Sequence, residues 1–323
     1  MNRRVKAVAF GVGISLASGA LLAATGSETM APNAGASSMP LDKRPIVAPS
    51  SIRFGAYDPH GHFTDDTSSG IEHLFLPWED VDLGTLALAD EYALTRGREL
   101  LISVEPWSWD RNWRLSPAEL YSGVVRGSYD ANIAALCSEV GKLRSPAILR
   151  FAQEMDEEDN QFTWAQWSGP QYIEVFRRFV SECRRQLPTA RFMWSPKGKE
   201  DLVDYYPGDE VVDVIGLSVF GFQPYDHAEA GRDMSFAERL APGYDRVKGF
   251  KKPIMVAELG YEGDETYVRS WAKEVAKRRG EFPQLTAVVY FNDREVYPWP
   301  DQFGLPDWRV IQDGTGDVTQ VEQ

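Results

Sequence analysis

AILRFAQE (147–154) is followed by an amphipathic stretch over 170–186 and then by RFMWS (191–195). The two short apolar runs have the length of strands, and Pro170 suits the first turn of a helix whose apolar residues recur every three or four positions. A strand, a helix and a second strand in this order predict two parallel strands joined by a crossover helix. Both runs are nearly continuous in apolar residues, as expected for parallel strands that are covered on both faces.

The same alternation extends over most of the chain and predicts an α/β protein with a single (β/α)8 TIM barrel. The connection over 58–70 is short and rich in Gly, Asp and Ser, so we expect its helix to be missing. The eight predicted strands are IRFGAY (52–57), IEHLFLPW (71–78), ELLISV (99–104), AILRFAQE (147–154), RFMWS (191–195), VVDVIGLSVF (211–220), PIMVAEL (253–259) and LTAVVYF (285–291).

Composition and charge narrow the classes of function. The 323 residues include 34 Lys and Arg against 48 Asp and Glu, which gives a net charge of −14. An acidic chain is not attracted to a phosphate backbone, so we expect no nucleic-acid partner. Neutral or cationic ligands suit this chain better.

The N-terminal segment is typical of an export signal. MNRRVK is basic, Ala7 to Ala24 is apolar, and small residues follow, so residues 1–26 are predicted to be a signal peptide, with a retained membrane anchor as the alternative. Residues 27–50 are predicted to be a Ser/Ala/Pro-rich linker, 51–312 the catalytic domain and 313–323 a C-terminal tail. We expect a secreted or periplasmic monomer with no other membrane contact.

Two carboxylates end predicted strands. Glu154 follows strand 4 and Glu258 follows strand 7. In a barrel of this kind the chemistry lies at the carboxyl ends of the strands, where side chains from opposite strands can converge. The alternative is that each Glu merely begins a solvated loop. Two carboxyls about 5 to 5.5 Å apart would act as acid/base and nucleophile of a retaining glycosidase.

Aromatic and polar residues at the same strand ends suggest a sugar site. Loop tryptophans between polar residues are poor core candidates, and Trp107 and Trp164 are the strongest candidates for stacking on sugar rings, with a core position as the alternative. Trp109 and Trp113 are weaker candidates of the same kind. Arg150 is expected beneath the mouth, paired with either Glu105 or Glu258. The remaining substrate-binding candidates are Gln153, Trp194, Phe220 and Tyr290.

Two other patterns are explained without a functional site. His60 and His62 form an HxH motif after strand 1, but further ligands are lacking at later strand ends, so we expect two loop histidines, no metal and no cofactor. Cys137 and Cys183 lie on the apolar stripes of two predicted helices. We expect buried thiols there, with a disulfide as the alternative that export would permit.

The chain resembles glycoside hydrolase family 26, the β-mannanase family of clan A, from about residue 54 to Arg309. The resemblance implies a (β/α)8 barrel, retention of anomeric configuration, Glu154 as acid/base and Glu258 as nucleophile. It rests on LRFAQEMD (149–156), FMWSPKG (192–198), YYPGDEVVDVIGLSVF (205–220), KPIMVAELG (252–260) and AVVYFND (287–293), with support from LISVEPW (101–107), GSYDANI (127–133) and DWRV (307–310).

Several positions depart from the family pattern. Gln153 replaces the usual His before the acid/base, and Asp156 replaces an Asn two positions after it. Phe220 replaces a Tyr whose hydroxyl holds the nucleophile, and Tyr290 replaces a Trp. Both carboxylates remain, but these changes affect the expected preference for mannan.

The predicted function is therefore an exported retaining endo-β-glycosidase of β-1,4-mannan type. Glu258 is expected to be ionised, and Glu154 to be protonated with a raised pKa. The alternatives are an endo-β-glucanase for mixed-linkage or self-made polysaccharide, a glycan-binding protein with weak or lost hydrolysis, and a metal-dependent barrel hydrolase.

Overall fold

The computed structural model describes residues 41–157, 161–300 and 302–311. Within these ranges, eight parallel strands form a closed barrel in the order β1 to β8. The strands are β1 (Arg53–Tyr57), β2 (Ser69–Pro77), β3 (Glu99–Glu105), β4 (Ala147–Phe151), β5 (Arg191–Trp194), β6 (Val214–Phe222), β7 (Ile254–Glu262) and β8 (Leu285–Phe291). The predicted (β/α)8 fold is confirmed.

Helices pack around the outside of the barrel. They are α1 (Leu86–Thr95), α2 (Pro117–Val125), α3 (Asp130–Val140), α4 (Gly169–Gln186), α5 (Gln223–Ala230), α6 (Phe236–Val247) and α7 (Glu265–Glu274). No helix joins β1 to β2, as the short connection predicts. None of the helices in the described ranges is long and apolar enough to span a bilayer.

Alternation along the strands separates two apolar layers. Side chains of one parity face the helices and join the large outer core, whereas those of the other parity fill the barrel. The inner cluster consists of Ile71, Leu101, Ile148, Met193, Val214, Met255, Ala257, Ala287 and Val289. This apolar layer supports the polar residues above it.

A disulfide joins α3 to α4. Cys137 and Cys183 are both fully buried, and their Cα atoms are 5.2 Å apart. The expectation of free thiols is therefore wrong. The sequence places each cysteine correctly on a buried helix face, but it does not reveal that these two faces meet.

The compact unit begins before the predicted domain boundary. Lys43 is buried, its amide donates to Val310 O at 2.9 Å, and the amide of Ile46 donates to Ala272 O at 2.8 Å. Residues 41–50 thus pack on the barrel instead of belonging to the linker predicted over 27–50. Residues 1–26 and 313–323 lie outside the described ranges.

Candidate active site

A polar layer lies directly above the apolar filling of the barrel. Four members of the inner apolar cluster, on β2, β3, β4 and β5, are each followed two positions later by a buried polar residue. These polar residues are His73, Ser103, Arg150 and Ser195. Arg150 donates from Nε to Ser195 Oγ at 2.8 Å and from Nη1 to Ser103 Oγ at 3.2 Å. Burial, with a further contribution from Arg150, lowers the pKa of His73 well below its usual value, so this imidazole is neutral.

Arg150 pairs with Glu258. Its Nη1 donates to Glu258 Oε1 at 2.5 Å, and the guanidinium is completely buried. Of the two partners that the sequence left open, the structure thus selects Glu258 over Glu105. Burial raises the pKa of Glu258 to about 7, although Arg150 opposes the shift, while Glu154 and Glu295 add to it. Glu258, which was expected to be the ionised nucleophile, is thus the residue whose pKa is raised.

Glu154 reaches the mouth of the barrel through a turn. Strand β4 ends at Phe151, and Ala152 and Glu154 then adopt left-handed backbone angles, with φ of 48° and 53°. The amide of Glu154 donates to Ser195 O at 2.7 Å, which holds this turn against β5. The predicted strand over 147–154 is therefore too long, since it ends at Phe151 and Glu154 lies on the turn that follows.

Ser218 connects the two carboxylates. Its hydroxyl donates to Glu154 Oε1, and its backbone is paired with Glu258 in the register of β6 and β7. The register shifts between Leu217 and Ser218, so a bulge adjusts the strand at this point. Glu154 is thereby held beside the strand position that carries Glu258.

Both carboxylates line a cleft of about 1150 Å³ at the carboxyl ends of the strands. Glu105, Trp107, Gln153 and Phe220 line it as well, in agreement with their predicted positions. Glu105 accepts hydrogen bonds from Trp107 Nε1 at 3.0 Å, from Trp109 Nε1 at 2.8 Å and from Gln153 Nε2 at 3.0 Å. This carboxylate fixes one wall of the cleft.

Trp107 does not offer an open face to a sugar ring. Its side chain is 6% exposed, the guanidinium carbon of Arg114 lies 3.3 Å from its ring centroid, and Trp164 packs at 4.5 Å. The structure thus contradicts the stacking expectation for Trp107. The ring instead supports Arg114, whose own side chain lines the cleft.

Four predicted substrate-binding residues lie away from the cleft lining, all fully buried: Arg150, which lies beneath the cleft, and Trp164, Trp194 and Tyr290. Trp164 donates from Nε1 to Gln153 O at 2.6 Å and so supports a cleft residue from behind. Trp194 faces outward from β5 and packs on Tyr206 and Phe250. Tyr290 faces outward from β8, where its hydroxyl donates to Trp308 O at 2.7 Å.

Sequence reasoning missed several cleft residues. Phe291 lines the cleft in place of Tyr290, since it has the parity of Ala287 and Val289, and counting alternate residues along β8 would have identified it. Glu295 and Trp299 lie in the loop after β8, where no periodicity marks them. Burial raises the pKa of Glu295, with a smaller contribution from Glu154.

Asp156 has a structural role that explains its departure from Asn. Its carboxylate accepts the amides of Lys197, Gly198 and Lys199 at 2.6, 2.9 and 2.8 Å. The charged form of Asp accepts all three bonds, whereas an Asn amide nitrogen would accept none. The loops after β4 and β5 are therefore tied together beside Glu154.

The histidines of the HxH motif contact the loop after β8. His60 Nε2 lies 3.1 Å from Asp293 Oδ1, and His62 Nδ1 lies 3.2 Å from Asn292 Nδ2. In the described part of the chain, no group of three or more His, Cys, Asp or Glu side chains is arranged to hold a metal ion.

Comparisons with known proteins find similar sequences and folds among glycoside hydrolases. Residues 115–241 match the family model described as Glycosyl hydrolase family 26. A β-1,3-xylanase of an Alcaligenes species is 26% identical over 164 residues, which are 48% of this chain and 31% of that protein. A mannan endo-1,4-β-mannosidase of Bacillus subtilis is 23% identical over 186 residues, which are 54% and 47% of the two chains.

This chain thus matches about a third to a half of the length of these curated relatives. Among solved structures, a β-mannanase of family 26 from Bacteroides ovatus superimposes with a TM-score of 0.56 at 18% identity, over 75% of this chain and 81% of that one. At this identity the superposition establishes the fold.

Proposed function

We propose that this chain, whose residues 115–241 match the model of Glycosyl hydrolase family 26, is a retaining endo-β-glycosidase that cleaves a neutral β-linked polysaccharide. The observation that carries the proposal is the joining of Glu154 and Glu258 in one cleft, with Ser218 on the first and Arg150 on the second. A pair of carboxyls at a barrel mouth is the machinery of double displacement.

The reaction proceeds in two balanced steps. Glu258 attacks the anomeric carbon and forms an ester bond, while the glycosidic bond breaks and Glu154 gives its proton to the leaving oxygen. Water then attacks the same carbon and Glu154 takes its proton, which releases Glu258 as a carboxylate. Arg150 stabilises Glu258 in its charged form, the role that a Tyr hydroxyl at position 220 would otherwise share.

We propose β-1,4-mannan as the first substrate, by the resemblance and by the mannosidase relative. A β-1,3-linked xylan is the second candidate, because one matched relative is described as a β-1,3-xylanase. Gln153 favours neither polymer, since its amide can donate to or accept from any sugar hydroxyl.

We also propose that the protein is exported. The basic and apolar segment at residues 1–26 supports this, and so does the Cys137–Cys183 disulfide, because disulfides persist in oxidising compartments.

The test is reducing-end release by the full chain on glucomannan, galactomannan, lichenan, β-1,3-xylan, β-1,4-xylan and carboxymethylcellulose. We expect turnover of one polymer, a loss of about 10²- to 10⁴-fold in Glu154→Gln and a loss at least as large in Glu258→Gln. Glu265→Gln, a substitution of an exposed glutamate on α7, is the matched control and should retain full activity.

Two results would overturn the proposal. Binding to a polymer without turnover by the unmodified chain would make it a glycan-binding protein, and near-normal turnover in Glu258→Gln would remove the nucleophile. A first product with inverted anomeric configuration, read by NMR, would contradict double displacement.

A further inference from the structure

The loop between β3 and α2 exposes two tryptophans. Seven of the ten tryptophans in the chain are buried, and all ten lie in the described ranges. Trp109 is 48% exposed and Trp113 is 59% exposed, and they are the two that stand among the exposed large hydrophobic residues. Because these rings are four residues apart on one loop, their exposure is a local feature and not a scattered one.

The loop holds these rings in fixed places. Trp109 Nε1 is bonded to Glu105 Oε2, which anchors the ring at the edge of the cleft. Asp110 caps the short 3-10 helix Arg111–Trp113, since its side chain accepts the amide of Asn112 at 3.0 Å and its carbonyl accepts the amide of Trp113 at 3.0 Å. An ordered backbone therefore presents Trp113 to solvent.

Most of the Trp113 side chain is open to solvent, with 59% of it exposed. No aromatic ring in the described part of the chain packs against its indole, and no acceptor there binds its Nε1, whereas the buried Trp164 and Trp167 both donate to carbonyls. An indole has a large apolar face and one donor, which suits a ligand that is apolar on one face and hydroxylated at its rim.

The position of Trp113 points to the occupant. Trp109, Arg111 and Arg114 line the cleft, and Trp113 lies between the last two along the chain, so its exposed ring stands beside the cleft wall. A polymer that leaves the cleft along this wall passes Trp113. Arg111 and Asn112 beside it are exposed and polar and Leu115 is 42% exposed, and this mixture of polar and apolar surface suits a sugar ring better than the apolar centre of a protein interface does.

We infer that Trp113 forms an outer subsite that stacks on a sugar ring of the polysaccharide, beyond the cleft. The inference rests on the proposed function and extends it, since it assigns part of the binding energy to polymer length. A subsite outside the cleft contributes only when the substrate is long enough to reach it. Long polymers therefore gain binding energy from this subsite, and short oligosaccharides do not.

The test compares Trp113→Ala with the unmodified chain on the preferred polymer and on the shortest oligosaccharide that is cleaved. We expect KM for the polymer to rise about three- to tenfold, with kcat nearly constant. KM for the oligosaccharide should change less than about twofold. Trp113→Tyr should restore most of the loss, and Leu88→Ala, a substitution at an exposed residue of α1 (69%), is the matched control.

A binding measurement separates this inference from the proposed function. Affinity electrophoresis of Glu258→Gln in gels containing the polymer detects binding without hydrolysis. The double variant Glu258→Gln with Trp113→Ala should bind the polymer about three- to tenfold more weakly, which is read as reduced retardation. If the unmodified chain proves inactive, this readout still supports the outer subsite. Equal retardation of the two variants, or equal KM changes on long and short substrates, would overturn it.

A protein partner is the competing occupant, and light scattering tests a second copy of the chain. If the unmodified chain is a dimer that Trp113→Ala dissociates, while retardation by the polymer is unchanged, then the ring belongs to a protein interface and the subsite is rejected.

Discussion

Arg150 is the one cation in the polar layer of the barrel, and its pairing with Glu258 sets the pH at which the nucleophile is ionised. In the proposed mechanism Glu258 attacks as a carboxylate, and burial raises its pKa to about 7. We therefore expect kcat/KM to fall as the pH decreases through about 7. Arg150→Met removes the group that lowers this pKa, so the acid limb of the pH profile should move up by about 1 to 3 pH units.

Arg98→Met is the matched control for Arg150→Met. Arg98 is also buried and also pairs with a glutamate, with Nη1 at 2.8 Å from Glu72 Oε2, but neither residue lines the cleft. Both substitutions leave a carboxyl without its buried partner and should lower the free energy of unfolding by about 3–5 kcal/mol. The pH profile should move in Arg150→Met alone, and an unmoved acid limb would contradict the role of Arg150.

Single residues also show which positions in the cleft could be predicted from the sequence. Glu105, Gln153, Glu154, Phe220 and Glu258 were predicted to line the mouth, and all five line the cleft, although Glu258 lies in the middle of β7 and not at its end. The assignment of a residue to the inner or outer face was less secure.

Trp194 and Tyr290 illustrate this limit. Both lie one residue from an inward-facing position, since Met193 and Val289 belong to the inner cluster. The position of a residue at a strand end does not decide which way its side chain points, so the parity of the whole strand must be counted.

At the scale of elements, the disulfide joins two outer helices, α3 and α4. A cross-link between residues 46 apart restricts the unfolded chain. Cys137→Ala with Cys183→Ala should therefore lower the free energy of unfolding by about 3–4 kcal/mol, measured by urea unfolding. We expect kcat/KM to be nearly unchanged, because neither cysteine lines the cleft.

The reduced form provides the control for the disulfide. The unmodified chain in excess thiol reductant should unfold at a similar urea concentration to the double variant, and the double variant should not respond to reductant. Equal stability of the oxidised protein and the double variant would contradict a stabilising cross-link.

The pairing of α3 with α4 could not be predicted from either helix alone. Periodicity assigns Cys137 and Cys183 to buried faces, but contact between two helices depends on how the barrel arranges its outer layer. Thiols and a disulfide are both compatible with that periodicity, so only the three-dimensional arrangement distinguishes them.

At the scale of the whole molecule, the order of strands and helices decided the fold. Eight strand-length runs with intervening helices leave few arrangements, because parallel strands need right-handed crossovers. The N-terminal boundary was less well predicted. Residues 41–50 have a linker-like composition, yet Lys43 and Ile46 bond to the barrel through their backbones, which composition does not report.

Export is a prediction for the whole molecule. Expression of residues 1–323 in a bacterial host should give a mature protein that begins after Ala20 or Gly26, as read by intact-mass spectrometry of the secreted or periplasmic fraction. Replacement of Arg3, Arg4 and Lys6 by Gln should retain the precursor in the cytoplasm. A cytoplasmic, full-length product from the unmodified gene would contradict export.

The turn that carries Glu154 has a consequence for evolution. Ala152 and Glu154 have left-handed backbone angles. Glycine adopts these angles without steric strain, whereas other residues adopt them with a strain of about 1 kcal/mol or more. Selection for thermal stability alone would thus favour glycine at both positions. In the proposed mechanism the glutamate at the second position is the acid/base, so a glycine there would give a less strained turn and lose the proposed proton donor.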